Sequence, residues 1–116
     1  MLNMTKKQKK HLRELASRCY EIEMSEALDE LNQDFKKWKN GEITVWDLDE
    51  KIHQHHDGVA RDLYKFYEMS RNSKNAVACG VSNGIIKMED IQKDCHPLLE
   101  QLIECYDETK NGSTTI

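Results

Sequence analysis

Apolar positions along this chain recur at steps of three and four, the spacing that places side chains on one face of an α-helix. From Thr5 to Lys39 there is no glycine or proline, and Glu, Lys, Leu, Ala and Gln, all good helix formers, predominate. Asn40-Gly41 ends this first helix, because glycine just past a helix end enters the left-handed conformation freely. Within the helix the apolar phase changes. Leu12, Leu15, Cys19 and Ile22 share one face. Met24, Ala27, Leu28, Leu31, Phe35 and Trp38 share another, roughly a third of a turn or more away. Two explanations stay open: the helix bends near residues 22–25, or it is long and buries different faces against different partners.

The next helix opens on Thr44-Val45-Trp46-Asp47, which reads as a capping box with Asp in place of the usual Glu or Gln. Val45, Leu48, Ile52, Val59, Leu63 and Phe66 follow with a period of about 3.5 residues. That register passes through Asp57-Gly58, a common turn signal that would make Asp57 the cap of a new segment. The unbroken phase favours a continuous or merely kinked helix to about Arg71. Asn72-Ser73 then opens a loop or cap, and the short apolar helix from Ala76 to Ser82 is closed by Asn83-Gly84. A linker with one turn at Met88-Glu89-Asp90 leads to a last helix. That helix carries Pro97 near its start, where the missing N–H costs nothing. Its stripe is Leu98, Leu99, Leu102, Ile103, Cys105 and Tyr106.

No strand-period run of useful length and no internal repeat occurs. The expected fold is all-α, a small helical bundle of about four helices of unequal length with the first two long. One all-helical domain is expected over residues 1–108, with residues 1–10 as a loose basic arm and 109–116 as a frayed tail.

Composition narrows the function classes. At 116 residues, the chain has room for one domain-sized core. With 38% hydrophobic and 33% charged residues, it is a surface-rich helical protein rather than a membrane one. No stretch approaches the roughly 18 apolar residues of a membrane helix. The basic N-terminus has no apolar run behind it, so no secretory signal is expected. Cys19, Cys79, Cys95 and Cys105 form no CxxC pair, and they read as reduced thiols of a cytoplasmic protein.

Charge is gathered in blocks: Lys6, Lys7, Lys9, Lys10 and Arg13, then Glu21, Glu23, Glu26, Asp29, Glu30 and Asp34, then Lys36, Lys37 and Lys39. The first block opposes the positive end of the helix dipole, hence the expectation of a loose arm. Net charge is −4 and the arm has no aromatic residue for base stacking, which argues against nucleic acid as a partner. The opposed blocks of the first helix would pair with an antiparallel copy of themselves, which favours self-association.

The most unusual stretch spans Glu50 to Arg61, where His53, His55 and His56 supply three of the chain's five histidines. Beside the apolar stripe runs a second line at steps of three or four: Trp46, Glu50, His53, Asp57, Arg61 and Tyr64. A plain solvent face would be Lys, Glu and Gln, so this line is expected to touch something.

Three chemistries compete for it. Glu50-x-x-His53 is the spacing of ferritin-like di-iron helices, and Asp57 one turn on would add a ligand for iron or zinc. Such a site needs two ExxH helices, so the second would have to come across a homodimer. His53 between Glu50 and Asp57 also suits an oriented general base. However, no GxSxG, P-loop, HExxH or dinucleotide fingerprint accompanies it, and catalysis is disfavoured. The third is a protein interface, since Trp, Tyr, Arg and His are the types that dominate such contacts.

Trp46, His53, Asp57, Arg61 and Tyr64 are therefore the interface candidates, and Glu50, His53 and Asp57 the metal candidates. The sequence expectation is a small cytoplasmic interaction or regulatory module that self-associates or binds another protein. The alternative is a metal-binding bundle completed across a dimer.

Overall fold

The computed structural model describes residues 3–112. It is all-α, as the periodicity requires. Helix α1 (Lys6–Lys39) is one uninterrupted helix of 34 residues. Helix α2 (Val45–His55) runs on through a π-helical turn (His56–Ala60), a short α3 (Arg61–Tyr64) and a second π turn (Lys65–Met69). The residues at each junction keep right-handed helical torsions, so these pieces form one continuous rod. Helices α4 (Ser73–Ser82) and α5 (His96–Gly112) follow, joined through two 3₁₀ turns, Met88–Asp90 and Lys93–Cys95. No helix among the described residues is long and apolar enough to cross a membrane.

Cap chemistry explains where the helices begin and end. The Gly41 N–H donates to the Trp38 carbonyl at 3.1 Å and the Glu42 N–H to the Lys37 carbonyl at 2.8 Å, with Gly41 at φ +76°. Gly84, at φ +75°, ends α4 in the same way, with its N–H on the Val81 carbonyl at 3.1 Å and that of Ile85 on the Gly80 carbonyl at 2.8 Å. Both Asn-Gly stops are thus Schellman motifs. Asn72 caps α4 by accepting from the Asn75 N–H at 3.0 Å.

The start of α1 corrects the loose-arm expectation. The Thr5 hydroxyl accepts from the Gln8 N–H at 3.0 Å, and the Gln8 side chain accepts from the Thr5 N–H at 2.9 Å. This reciprocal capping box satisfies two N–H groups that would otherwise lack partners, and it offsets the unfavourable lysines in the first turns. Gln8 also donates to the Asp94 carbonyl at 3.1 Å, and His11 accepts from the Gln92 N–H at 3.1 Å. Residues 6–10 are therefore helix tied to the turn before α5. At the other end α5 reaches Gly112, so 109–112 are helical too, and 113–116 lie outside the described residues.

The chain divides into two compact units: residues 1–19 with 71–116, and Tyr20–Ser70. The first holds most of the core. Leu12, Leu15, Cys19, Ala76, Val77, Ala78, Ile86, Ile91, Cys95 and Leu99 are all buried there. The small-residue run of α4 permits close approach: a Cβ on Gly80 would lie 2.7 Å from the Cys19 Sγ. Tyr106 donates to the Asn75 side chain and Ser82 donates to Asp107 at 2.5 Å, which ties α4 to α5. His96 Nε2 lies 3.1 Å from the Met88 carbonyl and 2.9 Å from that of Ile91. Two carbonyl neighbours require that nitrogen to carry the proton.

The second unit is a helical hairpin made of α1 from Tyr20 onward and the rod from Val45 to Met69. Tyr20 stacks on Tyr67 with ring centroids 5.0 Å apart, and Phe66 meets Tyr67 edge-on at 4.9 Å. The Tyr67 hydroxyl donates to Glu23 at 2.5 Å. Of the hairpin's apolar side chains, Ala27 and Leu48 are the buried ones.

The two helical glycines make opposite predictions. Gly80→Ala should destabilise the protein by about 1–3 kcal/mol, because the added methyl overpacks a closed site against Cys19. Gly58 sits in a helical rod, and its substitution would meet nothing within 4 Å. Gly58→Ala should therefore stabilise by about 0.5–1 kcal/mol through reduced chain entropy. Urea denaturation of both variants beside the parent checks the two signs.

Candidate interaction surface on the hairpin

The capping box of α2 sets the direction of the surface. The Thr44 hydroxyl accepts from the Asp47 N–H and the Asp47 carboxylate accepts from the Thr44 N–H, both at 3.0 Å. With that turn fixed and Leu48 buried, Trp46 lies about 200° round the helix and faces solvent. It is 78% exposed, the most exposed large apolar side chain among the described residues.

The rest of the predicted line is exposed as well. Glu50 and His53 follow on α2, Asp57 sits in the first π turn, and Arg61 and Tyr64 open and close α3. Tyr64 is 52% exposed. The apolar stripe beside the line is only partly covered. Ile52, Leu63 and Phe66 are half-buried, but Val45 is 51% and Val59 42% exposed. Val59 departs from the expected inward face because an i→i+5 turn takes in an extra residue, so the side chains within and beyond it come round late. His55 is half-buried and His56 is exposed.

Sequence-predicted partners are only partly brought together. His53 Nδ1 lies 3.8 Å from an Asp49 carboxylate oxygen, with both side chains well exposed. Glu50 accepts from the Gln54 amide at 3.3 Å. Asp57 and Arg61, one turn apart, form no ion pair with each other among the described residues. Glu23, on the facing stretch of α1, accepts from the Tyr67 hydroxyl. Among the described residues no group of three or more His, Cys, Asp and Glu is gathered as ligands would be. A single copy of the chain therefore does not unite Glu50, His53 and Asp57 with the α1 carboxylates.

The remaining candidate chemistry lies in the terminal unit and is quiet. Burial, followed by the neighbouring Asp94, pushes the Cys95 thiol above its ordinary value, which disfavours the nucleophilic thiolate. Cys79 is half-buried, with the Asn83 amide 3.2 Å from its sulfur. Cys105 is exposed rather than on the buried stripe of α5, a correction to its expected place. Burial also raises the Tyr106 hydroxyl.

Sequence reasoning missed the extent of the apolar surface. The exposed large hydrophobic residues among those described are Leu28, Trp38, Val45, Trp46, Val59, Tyr64 and Met69, every one of them in the hairpin unit. Their signal was muted because several sit in register with buried positions. No family model, curated protein or solved structure matches the chain.

The Asp47 carboxyl is held below its ordinary value of 3.8, first by the Thr44 backbone N–H and then by the Thr44 hydroxyl. Its folded value is depressed, so the cap's contribution is present above the unfolded value and is lost as pH falls through the folded one. The Thr44 amide resonance should accordingly titrate with a midpoint below 3.8, and Asp47→Asn should abolish that titration. A midpoint at or above 3.8 would show that the capping box contributes nothing to the charged form.

Proposed function

We propose that this chain is a small, non-catalytic interaction or regulatory module of the cytoplasm that self-associates through the outer face of its helical hairpin. The observation that carries this reading is the placement of exposed apolar surface. Every exposed large hydrophobic side chain among the described residues falls between Leu28 and Met69, while those of the terminal unit are buried or half-buried. Scattered single apolar residues on a surface are ordinary, but their gathering in one unit is the mark of a contact surface. Trp46, Arg61 and Tyr64 add the side-chain types that supply most of the energy in protein contacts.

Light scattering or sedimentation at rising concentration tests the proposal, and a dimer is the expected outcome. A Trp46→Ala, Tyr64→Ala double variant should keep its helix content by circular dichroism and lose assembly. A parent protein that stays monomeric up to about 1 mM would sink self-association, since weaker contacts than that carry no function of this kind. A double variant that unfolds would show that the face belongs to the core.

A further inference from the structure

Resting on that proposal, we infer that the partner is a second copy of this chain laid antiparallel along the rod, with the two-fold axis passing near His55. The exposed line contains its own complement. From N- to C-terminus it runs aromatic, acid, imidazole, acid, guanidinium, aromatic: Trp46, Glu50, His53, Asp57, Arg61, Tyr64.

Turned end for end about His55, Trp46 meets the partner's Tyr64, and His53 meets the partner's Asp57. Arg61 falls between the partner's Asp49 and the partner's Glu50. Each contact occurs twice, as an isologous interface requires. The line from Trp46 to Tyr64 spans roughly 27 Å of helix, and two helices pack side by side at about 8–10 Å between axes.

A parallel pairing of the rod, and a pairing of the rod with the acidic stretch of α1, place like on like. A parallel copy sets Glu50 against the partner's Glu50 and Arg61 against the partner's Arg61. The outer face of α1 in the same hairpin unit presents Glu21, Glu26, Asp29 and Glu30, all exposed, which would meet Glu50 and Asp57 as a second set of acids. Antiparallel pairing of the rod with itself opposes unlike charges along the line and puts an aromatic contact at each end. Opposed charges fix the register of such a contact more than its strength, and the aromatic pairs supply apolar burial. A contact of one short helical face on another is small beside a standard interface of about 1,600 Å², so the dimer is a reversible one.

Charge exchange tests the register. Glu50→Arg alone sets guanidinium against guanidinium at both symmetric positions, and Arg61→Glu alone sets carboxylate against carboxylate. Each single variant should self-associate at least ~10-fold more weakly than the parent by sedimentation equilibrium. An equimolar mixture of the two should form a heterodimer stronger than either single variant's homodimer, since positions 50 and 61 are again unlike, while the partner's Asp49 opposes the new carboxylate at position 61 and keeps it below parental strength. The Glu50→Arg, Arg61→Glu double variant should self-associate more strongly than either single variant. All the altered side chains are exposed, and circular dichroism establishes that each variant is folded.

A parent that dimerises and loses dimerisation in the Trp46→Ala, Tyr64→Ala variant, but whose single charge variants dimerise undiminished, would overturn the antiparallel register and leave self-association through the face standing. Loss in the single variants without recovery in the mixture would overturn the register likewise. A monomeric parent overturns both.

Discussion

Helix α1 has to supply apolar side chains to both compact units, and one helix cannot present the same face everywhere while doing so. Its apolar phase changes between Cys19 and Met24, close to the boundary between the units. Leu12, Leu15 and Cys19 enter the core of the terminal unit, and Ala27 is buried in the hairpin. The helix stays unbroken across that change of phase. The cost falls on the hairpin, where two helical segments alone cannot enclose every large side chain that helical spacing puts near the stripe. Leu28 and Trp38 on α1, and Val45 and Val59 on the rod, stay substantially in solvent.

The rod meets the same constraint differently. Its apolar sequence repeats at about 3.5 residues while an α-helix turns every 3.6, and the rod carries two π turns that wind more residues per turn than the helix around them. The first π turn contains Asp57-Gly58, so the supposed turn signal became a widened helical turn rather than a break. One result is that Tyr67 reaches both Tyr20 and Glu23 and closes the open end of the hairpin. The surface proposed for self-association is thus a by-product of how the hairpin buries what it can.

Local chemistry was legible where a few neighbouring residues decide the outcome. The Thr44–Asp47 box and both Asn-Gly stops each depend on backbone groups within about five residues, and all three formed as their sequences require. The Thr5–Gln8 box was equally local, yet the run of lysines behind it suggested a loose arm. The cap and the anchors on Gln92 and Asp94, distant in sequence, outweighed that repulsion. The exposed line was legible as a line because it follows helical spacing. The exposure of Val59 and Cys105 was not, because helical periodicity names a face but not whether anything covers it.

The sequence by itself determined that the protein is all helical and where most helices begin and end. Those properties follow from cap chemistry and from a period that each short segment carries within itself. Only the tertiary structure decided that α1 serves two units and that the terminal unit takes nearly all of the buried core. It also decided that the exposed apolar side chains gather on the hairpin. Burial depends on which segments, far apart in the chain, happen to face one another. Apolar side chains at helical spacing are core where a second helix covers them and exposed where none does.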